Sequence, residues 1–449
     1  MRTTSEIMKA DEHLIQSFAD LNALKDPAAR TGISRAQGPY VWDSNGNQLI
    51  DGIAGLWCVN VGHGRKEIID AITEQLHTLD YYSTFYNFTH PPAAELAKKL
   101  SELAPGHLNK VHFANSGSDA NDSAVRILHH YNIRTGRPHK KLVISRHGAY
   151  HGSTHLAMAL TTPGYSEGWH CARELVHHVK CPHYWREGGG RSESEFLDFL
   201  IEDLRSTIET IGPENICGFI AEPIMGAGGI ITAPAGYHMR AWEVCQYYDV
   251  KYISDEIVTA FGRLGHMFAS KDLFDVQPDI ITSAKGLTSG YQPLAATIIS
   301  DEIHDVISGP DGMFLHGTTY GGHPAAAAAA LANIAILENE KIPRKVKTTG
   351  KYFENKMHEL RNLELVGDVR GSHFMIGIEF VKNKITKESY PAEFQVALKV
   401  ARACQRHGLI ARPLGNILIL SPTLIMEEPM IDEVYKILEQ AITDVTRDL

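Results

Sequence analysis

The chain has 449 residues, 43% hydrophobic and 21% charged, with a formal net charge of −10. This composition supports a large core and two or three domains, and the dispersed acidic residues exclude an extended basic surface for nucleic acid. No apolar run reaches the roughly 20 residues that span a bilayer, no signal-peptide pattern opens the chain, and none of the six cysteines forms a Cys-x-x-Cys pair. We therefore expect a cytoplasmic protein with reduced thiols that acts on small molecules and contacts neither nucleic acid nor membrane.

The first 38 residues are polar and show only a weak helical pattern. Residues 38–46 then predict a strand that runs into an Asn-Gly hairpin turn. From about residue 61 to residue 331, short apolar runs alternate with helical periods, which is typical of a parallel, doubly wound sheet. The runs are residues 111–114, 142–145, 217–221, 251–254 and 280–282.

An alanine-rich helix is predicted over residues 324–337 and is followed by a mixture of helices and strands. The strands are predicted at 374–378 and 417–420, and a final amphipathic helix begins at Glu428. The sequence therefore predicts an α/β protein with a large domain over residues 61–331. A smaller α+β domain is expected from residues 1–60 and 332–449.

Ligands bind at the carboxyl ends of the strands in open α/β sheets, so the residues after each apolar run are candidates for a site. A Gly/Ser turn with Gly117 and Ser118 follows residues 111–114 and leads into a helical pattern. The free amides of such a helix start can hold a phosphate group. The alternative is that Ser118 or Asp119 only caps the helix.

The runs at 142–145, 217–221 and 251–254 are followed by Tyr150, by Glu222 and by Asp255. An aromatic ring at this edge can stack on a planar cofactor. A buried carboxylate needs a cation or a strong donor, and a pyridinium nitrogen is such a partner. The alternatives are a core aromatic residue and carboxylates that cap helices or lie on the surface.

Lys285 follows the run at 280–282 and stands among small residues. Burial lowers the pKa of a lysine and makes its neutral amine available for a Schiff base, although most lysines are solvated surface residues. A phosphate cradle, a stacking ring, a carboxylate and an imine-forming lysine on adjacent strand ends are what pyridoxal phosphate requires. Neither Gly-x-Gly-x-x-Gly after a strand nor Gly-x-x-x-x-Gly-Lys-Ser/Thr occurs, which argues against a dinucleotide and against a P-loop.

These residues, within a match from residue 38 to residue 415, resemble the class III aminotransferases of fold type I. The resemblance implies that Gly117 and Ser118 bind the cofactor phosphate and that Tyr150 stacks on its ring. It also implies that Asp255 pairs with the ring nitrogen and that Lys285 carries the cofactor as a Schiff base. Glu222 is expected to contribute to the cofactor site, and the opposite ring face would be covered by Ile257, which is favoured over Val258.

The segment 316–324 is similar to the stretch that, in this family, donates a threonine to the phosphate of the neighbouring subunit. The resemblance therefore implies that Thr319 acts across the interface of an obligate homodimer. A tetramer is left open.

The branch of the family depends on position 227, which is alanine here. In the ornithine- and GABA-type branch a glutamate at this position pairs with an active-site arginine, so the sequence is more similar to the ω-amino acid or amine:pyruvate branch. That branch implies that Arg412 swings in to bind a keto-acid carboxylate and swings out for an uncharged donor. The aromatic residues that match pocket positions of this branch are Trp57, Phe85 and Phe18.

The resemblance implies a ping-pong transamination from a primary amine or ω-amino acid, of the taurine, β-alanine or putrescine type, to pyruvate. A decarboxylase or an aminomutase would use the same cofactor residues. A metal-dependent hydrolase is a more distant alternative, prompted by two sets of residues: His147, His151 and His155, or His177, His178, Cys181 and His183. The sequence lacks the acid of a His-Glu-x-x-His motif, and we expect no metal site. A non-catalytic protein that keeps only the fold is a further alternative.

Overall fold

The computed structural model describes residues 4–449. Its strands are β1 (Ile33–Gln37), β2 (Tyr40–Asp43), β3 (Gln48–Asp51), β4 (Leu108–Ala114), β5 (Leu142–Arg146), β6 (Val176–Val179), β7 (Ile216–Ala221), β8 (Lys251–Asp255), β9 (Ile280–Ser283), β10 (Ala295–Ser300), β11 (Val366–Ser372), β12 (Met375–Phe380), β13 (Leu409–Ile410), β14 (Arg412–Leu414) and β15 (Ile417–Leu420).

The helices are α1 (Thr4–Asp11), α2 (Ala54–Trp57), α3 (Lys66–Thr78), α4 (Pro91–Leu103), α5 (Gly117–Arg134), α6 (Ala157–Leu160), α7 (Tyr184–Glu187), α8 (Glu193–Ile211), α9 (Tyr237–Tyr247), α10 (Ala269–Phe274), α11 (Asp301–Ile307), α12 (Pro324–Asn339), α13 (Ile342–His358), α14 (Val396–Arg406) and α15 (Glu428–Asp448). The predicted strands and helices are therefore present, and their bounds differ by a few residues at the ends.

The large sheet has the strand order β4-β10-β9-β8-β7-β5-β6. Strands β5 to β9 pair in parallel, whereas β10 is antiparallel to both of its neighbours, β4 and β9. Every residue of β7, β8 and β9 is buried, because helices cover both faces of a sheet of this kind. The mainly parallel, doubly wound sheet is confirmed, and the sequence reasoning missed β6 and β10.

Two smaller four-stranded sheets come from the ends of the chain, in the orders β1-β2-β3-β13 and β11-β12-β15-β14. Strand β13 pairs in parallel with β3, so the N-terminal and C-terminal parts share one sheet. Strand β14 delivers Arg412 and pairs antiparallel with β15. The second sheet thereby places Arg412, which comes from the C-terminal part of the chain, beside the large sheet.

The alanine-rich helix α12 packs against α3 and α4 and is buried on most of its surface. Small side chains allow this close approach of neighbouring helices, and Pro324 at its first position suits a helix start. The predicted boundary between residues 331 and 332 falls inside this helix. The division of the chain into residues 1–60, 61–331 and 332–449 stays a prediction.

All six cysteines are free thiols, and Cys217, Cys245 and Cys404 are buried. Among residues 4–449, no helix combines the length and the apolar character that crossing a bilayer requires.

Candidate active site

A cavity of about 700 Å³ lies at the carboxyl edge of the large sheet. The residues that follow β4, β5, β7, β8 and β9 converge there, as expected for a ligand site in an open α/β sheet. Most of the predicted site residues line its walls. They are Phe18, Trp57, Gly117, Ser118, Tyr150, Glu222, Asp255, Ile257, Lys285 and Arg412.

Asp255 ends β8 and is buried. Its Oδ2 accepts a hydrogen bond from Nδ2 of Asn121 at 2.8 Å and lies 2.7 Å from Nδ1 of His151. Its Oδ1 accepts one from the backbone N–H of Ile257 at 3.1 Å. A carboxylate has about four acceptor positions, so these three contacts leave room for one more donor. Asp255 can therefore receive a proton donor from the cavity.

Lys285 begins a 3-10 turn directly after β9, with a φ of +42° that a lysine seldom adopts. Part of its surface faces the cavity, but protein atoms surround its amine closely. Burial lowers the pKa of Lys285, while Cys58 and the carboxylates of Asp255 and Glu222 oppose this shift. The lowered pKa makes the neutral amine, which is the nucleophilic form, easier to reach.

The start of α5 supplies free backbone amides to the cavity. Oγ of Ser116 accepts a hydrogen bond from the N–H of Asp119 at 3.2 Å, so Ser116 is the N-cap. The alternative in which Ser118 or Asp119 caps the helix is therefore wrong. Gly117 and Ser118 are the first two helical residues, and their N–H groups have no intrahelical partner. Such amides at a helix start suit a phosphate group.

The side walls of this end of the cavity are formed by Tyr150 and Ile257. Glu222 holds the backbone near Tyr150, because its Oε1 accepts a hydrogen bond from the Tyr150 N–H at 3.1 Å. Its Oε2 accepts another from the Gly226 N–H at 2.8 Å. Burial raises the pKa of Glu222, and His151 opposes that shift. A side chain at position 117 would lie 2.7 Å from Cδ1 of Ile257, so glycine leaves Ile257 in its place at the cavity wall.

This set of groups fits pyridoxal phosphate. The cavity offers backbone amides for a phosphate group and a carboxylate with a free acceptor position for a pyridinium N–H. It also offers an amine for an aldehyde and a flat aromatic wall. The strand ends bring all four to one cavity.

The opposite end of the cavity is formed around Trp57, which is buried. Its ring packs on Gly226, where any side chain would overlap it. The guanidinium carbon of Arg412 lies 5.6 Å from the centroid of the Trp57 ring. Within residues 4–449, no carboxylate lies within salt-bridge distance of Arg412, and Ala227 lines the same wall. The guanidinium is therefore available to an anionic ligand.

Phe18 lies at the mouth of the cavity and is 70% exposed. Its ring makes edge-to-face contacts with Tyr150 at 6.0 Å and with Tyr165 at 6.4 Å between ring centroids. Oη of Tyr165 donates a hydrogen bond to the carbonyl oxygen of Ala227 at 3.1 Å. Three aromatic rings and Trp57 thus surround the space that a substrate would enter.

A family model described as aminotransferase class-III matches residues 23–442. The chain belongs to this family. Class-III aminotransferases depend on pyridoxal phosphate, which agrees with the groups described above.

Among curated relatives of this class-III aminotransferase, the putrescine–pyruvate aminotransferase of Pseudomonas aeruginosa is 41% identical, over 96% of this chain and 94% of that protein. The mitochondrial gamma-aminobutyrate transaminase 1 of Oryza sativa subsp. japonica is 40% identical, over 91% of this chain and 80% of that protein. A solved (S)-enantioselective ω-transaminase from Thermomicrobium roseum superposes with a TM-score of 0.96 at 36% identity and 99% coverage of both chains.

Two predicted residues do not reach the cavity of this class-III aminotransferase within one chain. Phe85 lines a different cavity of about 800 Å³, together with residues 312–318. The carbonyl oxygen of Thr319 accepts a hydrogen bond from Oη of Tyr81 at 2.7 Å, and Thr319 is absent from the walls of the cavity that holds Lys285. A role for either residue requires a second subunit.

The sequence reasoning missed three residues that support the site. His151 and Asn121 hold Asp255, and Asn121 also accepts a hydrogen bond from Oγ1 of Thr282 at 2.8 Å. Tyr165 lies in a short 3-10 helix, Pro163–Ser166, which is too short to give a periodic pattern in the sequence. Asn121 had a usable signal, since it follows Gly117 by one helical turn and so shares its face of α5.

The histidines behind the metal-hydrolase alternative serve other contacts. His151 binds Asp255, and the His147 ring packs against His178 with centroids 5.4 Å apart. Across the part of the chain that the structure describes, no three His, Cys, Asp or Glu side chains are grouped to hold a metal ion.

Proposed function

We propose that this class-III aminotransferase moves an amino group from a primary amine or an ω-amino acid to pyruvate. The products would be an aldehyde or ketone and L-alanine. The observation that carries the choice of acceptor is Arg412, a guanidinium at the cavity wall without a carboxylate partner and beside Ala227. The similarity to a putrescine–pyruvate aminotransferase supports the same acceptor.

We assign roles to the residues at the end of the cavity that contains Asp255 and Lys285, here called the cofactor end. The amides of Gly117 and Ser118 would hold the phosphate, Asp255 would accept the hydrogen bond of the ring nitrogen, and Tyr150 and Ile257 would contact the ring. Glu222 contributes by fixing the backbone at Tyr150. Bound there, pyridoxal phosphate supplies an electron sink for the charge that develops when the donor carbon loses its proton.

Lys285 has two tasks in this proposal. Its amine would hold the cofactor through the aldehyde, and when free the same amine would accept the proton that leaves the donor carbon and return it as the amino group is transferred. Burial favours the neutral amine that both tasks need. Asp255 is held in its orientation because Asn121 and His151 bind it from the protein side.

Arg412 lets one cavity accept two unlike substrates. A planar guanidinium binds the carboxylate of a keto acid with two parallel hydrogen bonds. When an amine without a carboxylate enters, the unpaired side chain can turn away, since no salt bridge among the described residues restrains it. Trp57 and Phe18 then offer apolar contact to the donor.

We propose that the enzyme works as a homodimer in which Thr319 and Phe85 complete the partner's cavity. Exposed apolar side chains near these residues support an interface: Tyr86 is 94% exposed, Met313 69% and Leu315 82%. Sedimentation would distinguish this dimer from a monomer and from a tetramer. A cytoplasmic location likewise stays a proposal.

Mixed dimers test the shared site. Lys285→Ala and Thr319→Asp are each expected to be inactive as homodimers, the second because its carboxylate repels the phosphate. Co-expression of the two should restore activity, since one of the two sites in a mixed dimer carries neither change. Absence of any restoration, with mixed dimers shown to form, would contradict the shared site.

A donor screen against pyruvate, read as alanine formed, tests the reaction itself. Primary amines and ω-amino acids should give alanine in amounts equal to the carbonyl product. Incubation with donor but without keto acid should convert one equivalent of cofactor to its amino form. Release of carbon dioxide, or an isomerised amine without net amino transfer, would instead establish a decarboxylase or an aminomutase.

A further inference from the structure

The end of the cavity around Trp57 and Arg412 is here called the donor pocket. Residues 226–229 form a tight turn, here called the pocket turn, between the donor pocket and the end that contains Asp255 and Lys285. We infer that Arg370 positions the pocket turn and thereby sets the width of the donor pocket. This inference rests on the proposed function, because it concerns the selection of donors by the same cavity. Arg370 is a positioning residue and does not line the cavity.

The pocket turn is closed by its own backbone. The N–H groups of Gly229 and Ile230 donate to the carbonyl oxygen of Gly226 at 3.0 and 3.1 Å, and Met225 pairs with Ile231 on either side. Gly229 has a φ of +110°, a conformation open to glycine and strained for other residues. The turn can therefore shift as a unit if its anchors change.

The first two residues of the pocket turn, Gly226 and Ala227, touch the candidate site. The N–H of Gly226 donates to Glu222, the Trp57 ring packs on Gly226, and the carbonyl oxygen of Ala227 accepts a hydrogen bond from Tyr165. A shift of the turn would move two walls of the donor pocket together. It would disturb the cofactor end less, because Glu222 also binds the Tyr150 backbone.

Arg370 on β11 anchors the far end of the turn. Its Nε donates to the carbonyl oxygen of Gly229 at 2.9 Å, and its Nη1 donates to Glu379 at 2.5 Å and to Asp368 at 3.2 Å. Arg370, Asp368 and Glu379 are all buried. Because the guanidinium is planar, the two carboxylates also fix the direction of the Nε–H bond toward Gly229. Charge-assisted hydrogen bonds in a buried place are the stronger ones.

The same carboxylate links Arg370 to another region of the chain. Nε of Arg186, on α7, donates to Oε1 of Glu379 at 2.7 Å. Arg186 therefore belongs to the same ion network but makes no contact with the pocket turn among its hydrogen bonds in the structure. This difference separates a positioning role from simple attachment of the two regions.

The test compares Arg370→Lys with Arg186→Lys in the pyridoxal-phosphate-loaded enzyme, with benzylamine and propylamine as donors and pyruvate as acceptor. Lysine keeps the charge beside Asp368 and Glu379 but lacks the fork that also reaches Gly229. For Arg370→Lys we expect the KM of benzylamine to rise about 10-fold and that of propylamine less than about 2-fold, since the larger ring depends more on both walls. The kcat values and the absorbance spectrum of the bound cofactor should stay unchanged.

Arg186→Lys should leave the benzylamine-to-propylamine ratio of KM values within about 2-fold of the wild type, whatever it does to thermal stability. Gly229→Ala strains the turn from its other side, where the new side chain would lie 2.6 Å from Cδ1 of Ile417 and 3.1 Å from Nη2 of Arg370. It should shift the ratio in the same direction as Arg370→Lys. The two variants reach the turn independently, so the inference does not depend on one of them folding.

Equal shifts of the KM ratio in Arg370→Lys and Arg186→Lys would overturn the positioning role. It would also be overturned if neither Arg370→Lys nor Gly229→Ala shifted that ratio. Failure of the proposed function is a separate outcome, because it would appear in the wild type as an absence of alanine from any donor.

Discussion

Polar groups at the cofactor end of the cavity are held by buried partners, whereas those at the donor end are nearly free. Asp255 and Glu222 each accept at least two hydrogen bonds, and the amides before them begin a regular helix. At the donor end, Arg412 has no carboxylate partner among the described residues, and Phe18 is 70% exposed on an irregular segment. In the proposed function, this difference would make one end preorganised for a single constant ligand and let the other adapt to two different substrates.

Among the variants that test this comparison, removal of Lys285 should have the largest effect on turnover. Lys285→Ala is expected to lower turnover by at least about 10³-fold, because no other amine is placed to move the proton. Absorbance should still report bound cofactor, held by the other groups of that end. Lys140→Ala is a matched control, since Lys140 is also buried but pairs with Asp249 away from the cavity. Steady turnover by the Lys285 variant would remove this lysine from the mechanism.

Asp255→Asn should reduce turnover by about 100-fold, since a neutral amide no longer favours a protonated ring nitrogen and conflicts with the donors Asn121 and His151. Asp279→Asn is the control, because Asp279 is a buried carboxylate that binds Lys251 and the Tyr252 backbone instead. It should affect the melting temperature rather than the rate. Wild-type rates in Asp255→Asn would show that the cofactor end does not act through this carboxylate.

Arg412→Leu probes the adaptable end. The KM of pyruvate should rise about 50-fold, because the carboxylate loses the Arg412 guanidinium at the cavity wall. The first half-reaction with propylamine should change less than about 3-fold, and butanal, an acceptor without a carboxylate, should be used as well as by the wild type. An unchanged KM for pyruvate would place the acceptor site elsewhere.

The smallest expected effect concerns pH. The pKa of Lys285 is lowered by burial and raised in part by Glu222, so Glu222→Gln should lower it further. Cofactor attachment needs the neutral amine. The pH at which the attachment rate falls on the acid side should therefore be lower in this variant, by less than about one pH unit. Stopped-flow absorbance of the apoenzyme mixed with pyridoxal phosphate measures this acid side of the pH profile. Glu214→Gln, at the opposite end of β7, should leave it in place, and a shift to higher pH would contradict the assigned role.

The cofactor end was predictable because local signals carry it. Each apolar run predicts a buried strand, and the residue after it predicts a position at the carboxyl edge, as for Asp255 and Lys285. Strands β6 and β10 were missed, since two histidines in β6 and the alanines that begin β10 weaken the strand pattern. Their places in the sheet come from pairing with neighbours.

The donor end was less predictable because its residues come from distant parts of the chain. Tyr165 meets Ala227, and Arg370 on β11 meets Gly229, at an irregular turn whose path no periodicity describes. Phe85 and Thr319 stay outside the cavity of their own chain, and only the proposed homodimer would bring them to it.

The sequence by itself determined which residues follow the buried strands: a helix start with Gly117 and Ser118, a tyrosine, a carboxylate and a lysine. These are the residues on which the proposed cofactor site rests. It also determined the family, through the same residues. Only the tertiary structure decided which groups hold Asp255 in place, that Ser116 caps α5, and that Arg370 reaches the pocket turn. The physical reason is that hydrogen bonding and burial depend on contacts between residues far apart in the chain, which local pattern does not encode.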